Sequence, residues 1–355
     1  MQDWGTPCFD RVLTALQRQE PDRVPPAEIW VDQEVRDAFM GRPVRSVQEE
    51  VEFWSAAGYD FAALDSDVWA TPQIQGSITR PLADTAGVYD QGREHRGWVA
   101  TESGEVKTWA DVESFPWPKA QDLDYSRLEQ IGEFLPPGMK VIVTFGHIFT
   151  AAWHLMGFNH FCLSLYDDPA LVAEVMKRLG EEVIRQVDHL LSFEAVGALC
   201  FQDDIAYTSG MIISLEWVRK MFSPWLVEIT RLCHARGRPL IYHSDGKMDD
   251  YLPEMVAAGV DCFQAVEPKS MDIVAVKREY GGRLALMGNV DLGFTLTRGT
   301  PQDVDEAVRH LIRTVAPGGG FLLGSTNSIT NYVPLANYKA LLASTLKHGW
   351  YPISL

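Results

Sequence analysis

A histidine and an aspartate follow a short apolar run in the segment PLIYHSDGK, residues 239–247. His243 and Asp245 stand two positions apart at the end of a predicted strand, so their side chains can lie on one side and converge. Imidazole nitrogen and carboxylate oxygen are ligands that zinc accepts, and Glu267 could supply a third ligand from the next strand. We therefore predict a metal site at these three residues. The alternative is that Asp245 caps the following helix and His243 only hydrogen-bonds to it.

Two further segments carry candidate acids and bases. Asp203 and Asp204 follow another predicted strand, and His147 ends the strand before it. Paired carboxylates in a pocket of low dielectric repel each other, so one of them can retain a proton at neutral pH and act as an acid. We predict that His243, Asp203, Asp204 and His147 carry the catalysis. The alternative for one of the two aspartates is that it orders a loop by accepting backbone N–H bonds.

Other polar and aromatic side chains follow the remaining strands. Those that we assign to substrate binding are Glu28, Trp30, Asp65, Tyr207 and Asn327. Together with the candidates above they form an acidic set with two histidines, and it contains no cluster of lysines or arginines. We therefore do not expect a phosphate site among these positions.

The elements that must position these residues are eight short β-branched or apolar runs, mostly separated by segments of helical length and periodicity. Parallel strands need such crossovers, and eight of them in a chain of this length favour a (β/α)₈ TIM barrel, an α/β fold. We predict one barrel domain over residues 1–355. The predicted strands are 24–31, 60–65, 140–145, 196–204, 239–243, 260–266, 283–289 and 320–325. In such a barrel the side chains just past the strand ends face the active site.

Three local features refine this prediction. Residues 66–139 have few strand signals, so we predict a long insertion after the second strand, with a hairpin over 87–109. Asp168 and Pro169 predict a helix start, because they are a capping residue and a proline suited to the first helical position. The three glycines at 318–320 precede a strand, whereas phosphate-binding loops follow one, so we predict a tight turn there.

Composition limits the class of protein. The chain has 355 residues, of which 46% are hydrophobic, and a formal net charge of −17, which disfavours nucleic acid and anionic membranes as partners. There is no apolar run of membrane-spanning length, and the first residues lack the apolar core of a signal peptide. Five scattered cysteines without a C-x-x-C pair indicate reduced thiols. We therefore expect a cytoplasmic protein.

Several motifs together resemble the uroporphyrinogen decarboxylase superfamily, whose fold is a (β/α)₈ barrel. They are RVLTALQRQEPDRVP, GFNHFCLSLYDDPALV, DDIAYTSGMIISLEWVRKMFSPWL, IYHSDGKMDDYLPEMVAAGVDCFQ, LALMGNVD and GSTNSITNYVPLANY. The decarboxylases of that superfamily carry an arginine-bearing segment after the first strand, which binds the carboxylates of the porphyrinogen. Here the same place is the acidic EIWVDQEVRDAF, so the resemblance argues against a porphyrinogen substrate.

The other large branch of the superfamily consists of corrinoid-linked methyltransferases. Its thiol-methylating members bind zinc through H-x-C and a later cysteine. His243 matches that histidine, Asp245 replaces the first cysteine, and Asn327 falls near the later one. Related zinc methionine synthases place a glutamate where Glu267 stands, 22 residues after Asp245. Oxygen-rich ligation keeps a metal hard and suits polarising an ether or phenolic oxygen.

The resemblance therefore implies the substrate-side component of an O-demethylase. It would move methyl from a small methoxylated aromatic donor to a corrinoid on a partner protein, with zinc as a candidate cofactor. The expected partners are the methyl donor and the corrinoid protein, and a homodimer stays open. The alternatives are a decarboxylase of a small carboxylated substrate, a methyltransferase from methylcobalamin to a thiol, and a non-catalytic barrel that binds a tetrapyrrole-like ligand.

Overall fold

The structure is a computed structural model that describes residues 5–66, 79–80, 98–99 and 104–353. Its main sheet has seven parallel strands, each paired with the next one along the chain. The strands are β1 Phe61–Asp65, β2 Lys140–Gly146, β3 Val196–Gln202, β4 Leu240–His243, β5 Cys262–Gln264, β6 Ala285–Val290 and β7 Phe321–Ser325. Because all pairs are parallel, the carboxyl ends of all seven strands lie at the same edge of the sheet.

Helices fill the crossovers between the strands. The described α-helices are Phe9–Leu16, Gln33–Met40, Val47–Ala56, Trp109–Ser114, Ser126–Ile131, Phe149–Met156, Phe158–Asp167, Pro169–Leu190, Leu215–Met221, Ser223–Ala235, Leu252–Ala258, Ile273–Tyr280, Thr295–Arg298, Pro301–Thr314 and Leu335–His348. Short 3₁₀ turns span Ala120–Asp122 and Asp249–Tyr251. Among the helices described, none has the length and apolarity needed to cross a bilayer.

The longest helix begins where its capping residues predict. The Asp168 carboxylate accepts a hydrogen bond from the Leu171 amide at 3.1 Å, and Pro169 takes the first helical position. Proline is suited to that position because an amide there would have no partner inside the helix. The predicted tight turn is also present, since Gly318, Gly319 and Gly320 all adopt positive φ immediately before β7. A β-carbon on Gly319 would lie 2.1 Å from the Gln19 carbonyl carbon.

The sheet curls around its own small core. One buried cluster contains side chains from each of the seven strands, from the segment 24–31 and from the first helix. Its members are Phe9, Val12, Ala15, Leu16, Ala27, Ile29, Phe61, Ile142, Ala198, Cys200, Ile241, Cys262, Ala285, Met287 and Leu322. A sheet can bring all its strands into one inner cluster only by closing on itself, so the architecture is barrel-like. A larger cluster packs the outer face of the sheet against the helices.

The first helix covers one end of this barrel. The Phe9 amide donates to the Gly138 carbonyl at 2.7 Å, and the Phe9 ring packs against Gly197 at the beginning of β3. Both contacts lie near the amino ends of strands. The opposite end, where the strands finish, is therefore the mouth at which side chains can meet a substrate.

The prediction of a first strand over 24–31 is wrong in its detail. This segment runs beside β7 but forms only isolated parallel bridges, Pro26 with Leu323 and Val31 with Ile329. The Ala27 amide donates to the Leu323 carbonyl at 2.8 Å, and the Leu323 amide donates to the Pro25 carbonyl at 3.0 Å. Two consecutive prolines remove two amide donors from this edge, which prevents a continuous ladder.

The predicted insertion over 66–139 is described only in part. The hairpin predicted over 87–109 lies mostly outside the described residues; Thr79–Arg80 pairs antiparallel with Trp98–Val99. Residues 112–125 contact the helix Pro169–Leu190. There Glu182 accepts from the Ala120 amide at 2.9 Å, and Arg178 pairs with Glu113 at 2.6 Å. The insertion itself stays a prediction.

Candidate functional site

Three polar side chains meet at the carboxyl ends of β3 and β4. Asp204, His243 and Asp245 each offer one ligand atom, and these three atoms lie within 4.8 Å of one another. His243 is buried, while the two aspartates are half-buried. We refer to these three residues as the mouth cluster.

Gln264 orients the imidazole of His243. The two residues end neighbouring strands and face each other in register, and His243 Nδ1 is hydrogen-bonded to Oε1 of Gln264. An amide oxygen can only accept, so Nδ1 carries a hydrogen and Nε2 is the nitrogen that faces the cluster. Nε2 lies 3.8 Å from Asp245 Oδ1, inside the cluster. Metal-binding histidines are held in this way, with one nitrogen bonded to the protein and the other free for the ion.

The Asp245 carboxylate is held on one side only. Its Oδ2 accepts from the Asn327 amide at 2.9 Å, whereas its Oδ1 is buried without a hydrogen-bond partner among the described residues. Burial, together with the charges of Asp204 and Glu267, raises the pKa of Asp245 to about 6, although His243 and Asn327 oppose the shift. A buried carboxylate oxygen without a donor, beside an imidazole nitrogen and a second carboxylate, fits a bound cation.

Asp203 and Asp204 are neighbours in sequence but face different surroundings. The carboxylate of Asp203 is 1% exposed and accepts from the amides of Ile148, Phe149 and Thr150 at 2.7, 2.7 and 2.8 Å. It thereby caps the helix Phe149–Met156. Burial raises the pKa of Asp203, while His147 and the amide donors oppose that shift.

The predicted catalytic role of Asp203 is therefore corrected. Both of its oxygens are used by backbone donors, so it orders the loop after β2 rather than reaching a substrate. Asp204 points the other way, and its Oδ1 accepts from the Asp245 amide at 2.8 Å. Of the predicted pair, Asp204 alone belongs to the mouth cluster.

His147 lies next to this cap, outside the mouth cluster. It is half-buried, its amide donates to the Gln202 carbonyl at 2.8 Å, and it adopts φ +66°. A left-handed conformation is uncommon for a residue with a β-carbon, and such conformations concentrate at functional sites. Its charge is close enough to lower the pKa of Asp203. His147 stays a candidate acid or base on the basis of the sequence.

Glu267, the predicted third ligand, contacts the backbone next to the cluster. Its Oε2 accepts from the Gly246 amide at 3.0 Å, and its Oε1 lies 3.6 Å from Lys269 Nζ. The structure thus brings Asp204, and not Glu267, into the group of three with His243 and Asp245. Glu267 still contributes negative charge, because it raises the pKa of Asp245.

The predicted substrate-binding residues are spread over the mouth. Asn327 contacts the mouth cluster directly through Asp245. Tyr207 is half exposed on the short hairpin of Ala206–Tyr207 and Gly210–Met211, and its carbonyl accepts from the Lys247 amide at 2.8 Å. This contact holds the hairpin against the loop that carries Asp245.

Two other candidates, Trp30 and Asp65, lie away from β3 and β4, in the segment 24–31 and at the end of β1. The Trp30 indole is 46% exposed and donates to Asp32 at 2.9 Å. Asp65 ends β1 and accepts from the Thr144 hydroxyl at 2.8 Å. The role of both residues in substrate binding stays a prediction.

Glu28 is buried inside the barrel, so the structure does not support its predicted contact with substrate. Its two oxygens accept from the amide and the hydroxyl of Ser325, both at 2.6 Å, which ties the segment 24–31 to the end of β7. Burial raises the pKa of Glu28 to about 8, and the two bonds from Ser325 oppose this shift. The carboxyl is therefore mostly protonated at neutral pH.

Replacing Glu28 with glutamine is expected to stabilise the fold by about 3 kcal/mol at pH 7. The pKa of Glu28 rises from 4.5 to about 8 on folding. The stability that the protonated Glu28 carboxyl contributes is therefore complete below pH 4.5 and is lost as pH rises towards 8. Urea unfolding at several pH values should show wild type weakening relative to the variant across this window. Glu279→Gln, at an exposed position, is the control. If the free energy of unfolding of Glu28→Gln and of wild type changed with pH in the same way, the burial of a neutral carboxyl would be contradicted.

A cleft of about 430 Å³ opens beside the mouth cluster. It is lined by Glu267, Pro268, Lys269, Asp291, Leu292, Gly293, Thr297, Arg298, Thr326, Asn327, Ser328, Thr330 and Tyr332. Asn327 donates to Asp245, and Glu267 holds the next residue, Gly246, so the cleft and the cluster share a wall. Its size is typical of sites for small molecules.

Sequence reasoning missed three parts of this site. Gln264 lies inside the predicted strand 260–266, and only the strand register shows that it faces His243. Lys269 and Arg298 follow different strands at some distance along the chain, and neither stands directly at a strand end. Their approach to one cleft depends on how the loops fold, for which the sequence contains no short-range signal.

Comparison with known proteins identifies the family and agrees with the fold. A family model described as uroporphyrinogen decarboxylase (URO-D) matches residues 102–348. The uroporphyrinogen decarboxylase of Anaeromyxobacter dehalogenans is 25% identical, covering 96% of this chain and 99% of that one. That of Alkalilimnicola ehrlichii is 22% identical, covering 94% and 92%. A solved methyltransferase from Methanosarcina mazei superposes with a TM-score of 0.69 at 17% identity, covering 94% and 97% of the two chains.

Proposed function

This chain belongs to the uroporphyrinogen decarboxylase family, and we propose that it is a corrinoid-dependent methyltransferase. In this proposal it moves a methyl group from a small methoxylated aromatic compound to a corrinoid carried by a partner protein. The proposal rests on the mouth cluster, in which the buried Asp245 Oδ1 has no hydrogen-bond donor among the described residues and lies 3.8 Å from Nε2 of His243. The fold shared with the Methanosarcina mazei methyltransferase is consistent with it.

The residues of the mouth cluster fit a zinc ion. His243, Asp245 and Asp204 would hold it, and two carboxylates with one neutral imidazole balance its double charge. When bound, the ion would supply a Lewis acid for the ether oxygen of the donor. The absence of thiolate ligands suits this oxygen chemistry better than activation of a thiol.

The other residues of the site have defined tasks in this reaction. The methyl carbon loses its bond to the ether oxygen and gains one to the corrinoid, so the oxygen leaves with an electron pair and must be stabilised or protonated. Gln264 fixes the direction of the His243 imidazole, and Asn327 fixes that of Asp245. The adjoining cleft offers space for the aromatic ring of the donor.

A decarboxylase of a small carboxylated substrate is the second candidate, because the curated relatives are named uroporphyrinogen decarboxylases. In that case His243 and Asp204 would move protons without a metal. A porphyrinogen itself is disfavoured by the acidic segment EIWVDQEVRDAF, where that substrate needs arginines.

One assay separates the two candidates. Purified protein is mixed with cob(I)alamin and a methoxybenzoate, and methylcobalamin is followed by its visible absorbance. We expect protein-dependent methylcobalamin formation, about one zinc per chain, and loss of the reaction on removal of zinc by a chelator. Release of carbon dioxide from a metal-free sample, without methylcobalamin, would instead establish the decarboxylase and overturn the proposal.

A further inference from the structure

The cleft beside the mouth cluster contains two cationic side chains, Lys269 and Arg298. They are notable in a chain with a net charge of −17 and at a mouth whose strand ends are acidic. Positive charge inside a concave site attracts anionic ligands and opposes the repulsion that the rest of the surface exerts on them.

The carboxylates of this cleft do not neutralise Arg298. Asp291 accepts from the amides of Gly293 and Phe294 at 3.0 and 2.8 Å, so it is committed to its own loop. Glu267 is held by the Gly246 amide and lies 3.6 Å from Lys269. Among the described residues, no hydrogen bond or ion pair involves the Arg298 guanidinium; its backbone amide donates to the Phe294 carbonyl.

A second, independent observation is the hydroxyl of Thr330. This residue lines the same cleft, is only 3% exposed, and its Oγ1 has no hydrogen-bond partner among the described residues. Buried polar groups without partners are rare and costly, so they point to a group that binds there. A hydroxyl that donates, together with a guanidinium and an ammonium, matches the oxygens of an anion.

We propose that this cleft binds a carboxylate of the methyl donor, so that the substrates are methoxylated aromatic acids. A guanidinium binds a carboxylate through two parallel N–H donors, which favours Arg298 as the main contact. Asn327 lines the same cleft and contacts Asp245, so a ring held by its carboxylate at Arg298 stays beside the mouth cluster. That the bound acid is a methyl donor rests on the proposed function, whereas its binding in the cleft does not.

The test is calorimetric binding without corrinoid, with 4-methoxybenzoate and its neutral analogue 4-methoxybenzamide as probes. We expect the acid to bind at least about tenfold more tightly, and Arg298→Gln to remove that preference. Lys269→Gln should have a smaller effect because Lys269 is shared with Glu267. Thr330→Val, which keeps the shape of the side chain, should weaken binding of the acid more than binding of the amide. Exposed Arg313→Gln is the matched control.

Two outcomes would overturn the inference. Equal binding of acid and amide to wild type would show that the cleft does not select a carboxylate. Stronger binding of inorganic phosphate at the same site would show that the anion is a phosphate group. Selective binding of the acid without any methyl transfer would support the inference and count against the proposed function alone.

Discussion

Replacing His243 with alanine is expected to lower the rate of methyl transfer by about 10²- to 10⁴-fold, because in the proposed reaction His243 either binds the metal or moves the proton. The same variant should lose most of its zinc. The fold should survive, since the change leaves the Gln264 amide without its partner at a cost of about 1–3 kcal/mol, below the stability of an ordinary domain. Methylcobalamin formation, zinc content and circular dichroism measure the three effects.

The control for this variant is His310→Ala. His310 lies on the exposed face of the helix Pro301–Thr314 and should affect neither rate nor zinc content. Full activity of His243→Ala with unchanged zinc would remove the mouth cluster as the site. Lost activity with full zinc would assign the ion to other residues and His243 to proton transfer.

The same substitution at the two adjacent aspartates should have different effects, a loss of stability at Asp203 and a loss of activity at Asp204. Asp203→Asn replaces one acceptor oxygen with an amide group that faces backbone donors, so we expect the free energy of unfolding to fall by about 3 kcal/mol. Asp204→Asn keeps an oxygen for the Asp245 amide and is half-buried, so its stability should change by less than about 1 kcal/mol. Its zinc affinity and its rate of methyl transfer should each fall by more than about tenfold.

Urea unfolding and the methylcobalamin assay separate these effects for the two variants. Each variant serves as the control of the other, since the chemical change is identical and the positions are adjacent. Equal stabilities for the two variants would contradict the capping role of Asp203. Unchanged activity of Asp204→Asn would contradict its place in the mouth cluster.

Much of the architecture could be predicted because it depends on short-range patterns. Apolar runs alternating with helical segments predicted parallel strands with crossovers, and seven of the predicted strands form one curled sheet. The residue types Asp168 and Pro169 predicted a helix start from local chemistry, and the structure confirms it. The resemblance of the motifs to the uroporphyrinogen decarboxylase superfamily is confirmed by the family match over 102–348.

The sequence by itself determined which residues stand at the carboxyl ends of strands, because strand ends follow from the apolar runs. It placed His243, Asp245 and Asn327 at one mouth, where the structure joins them. Only the tertiary structure decided which side chains share a contact. The choice between Asp203 and Asp204, the pairing of Gln264 with His243 and the burial of Glu28 all depend on strand register and on loops distant in sequence. Such contacts are set by packing of the whole sheet, which no short segment encodes.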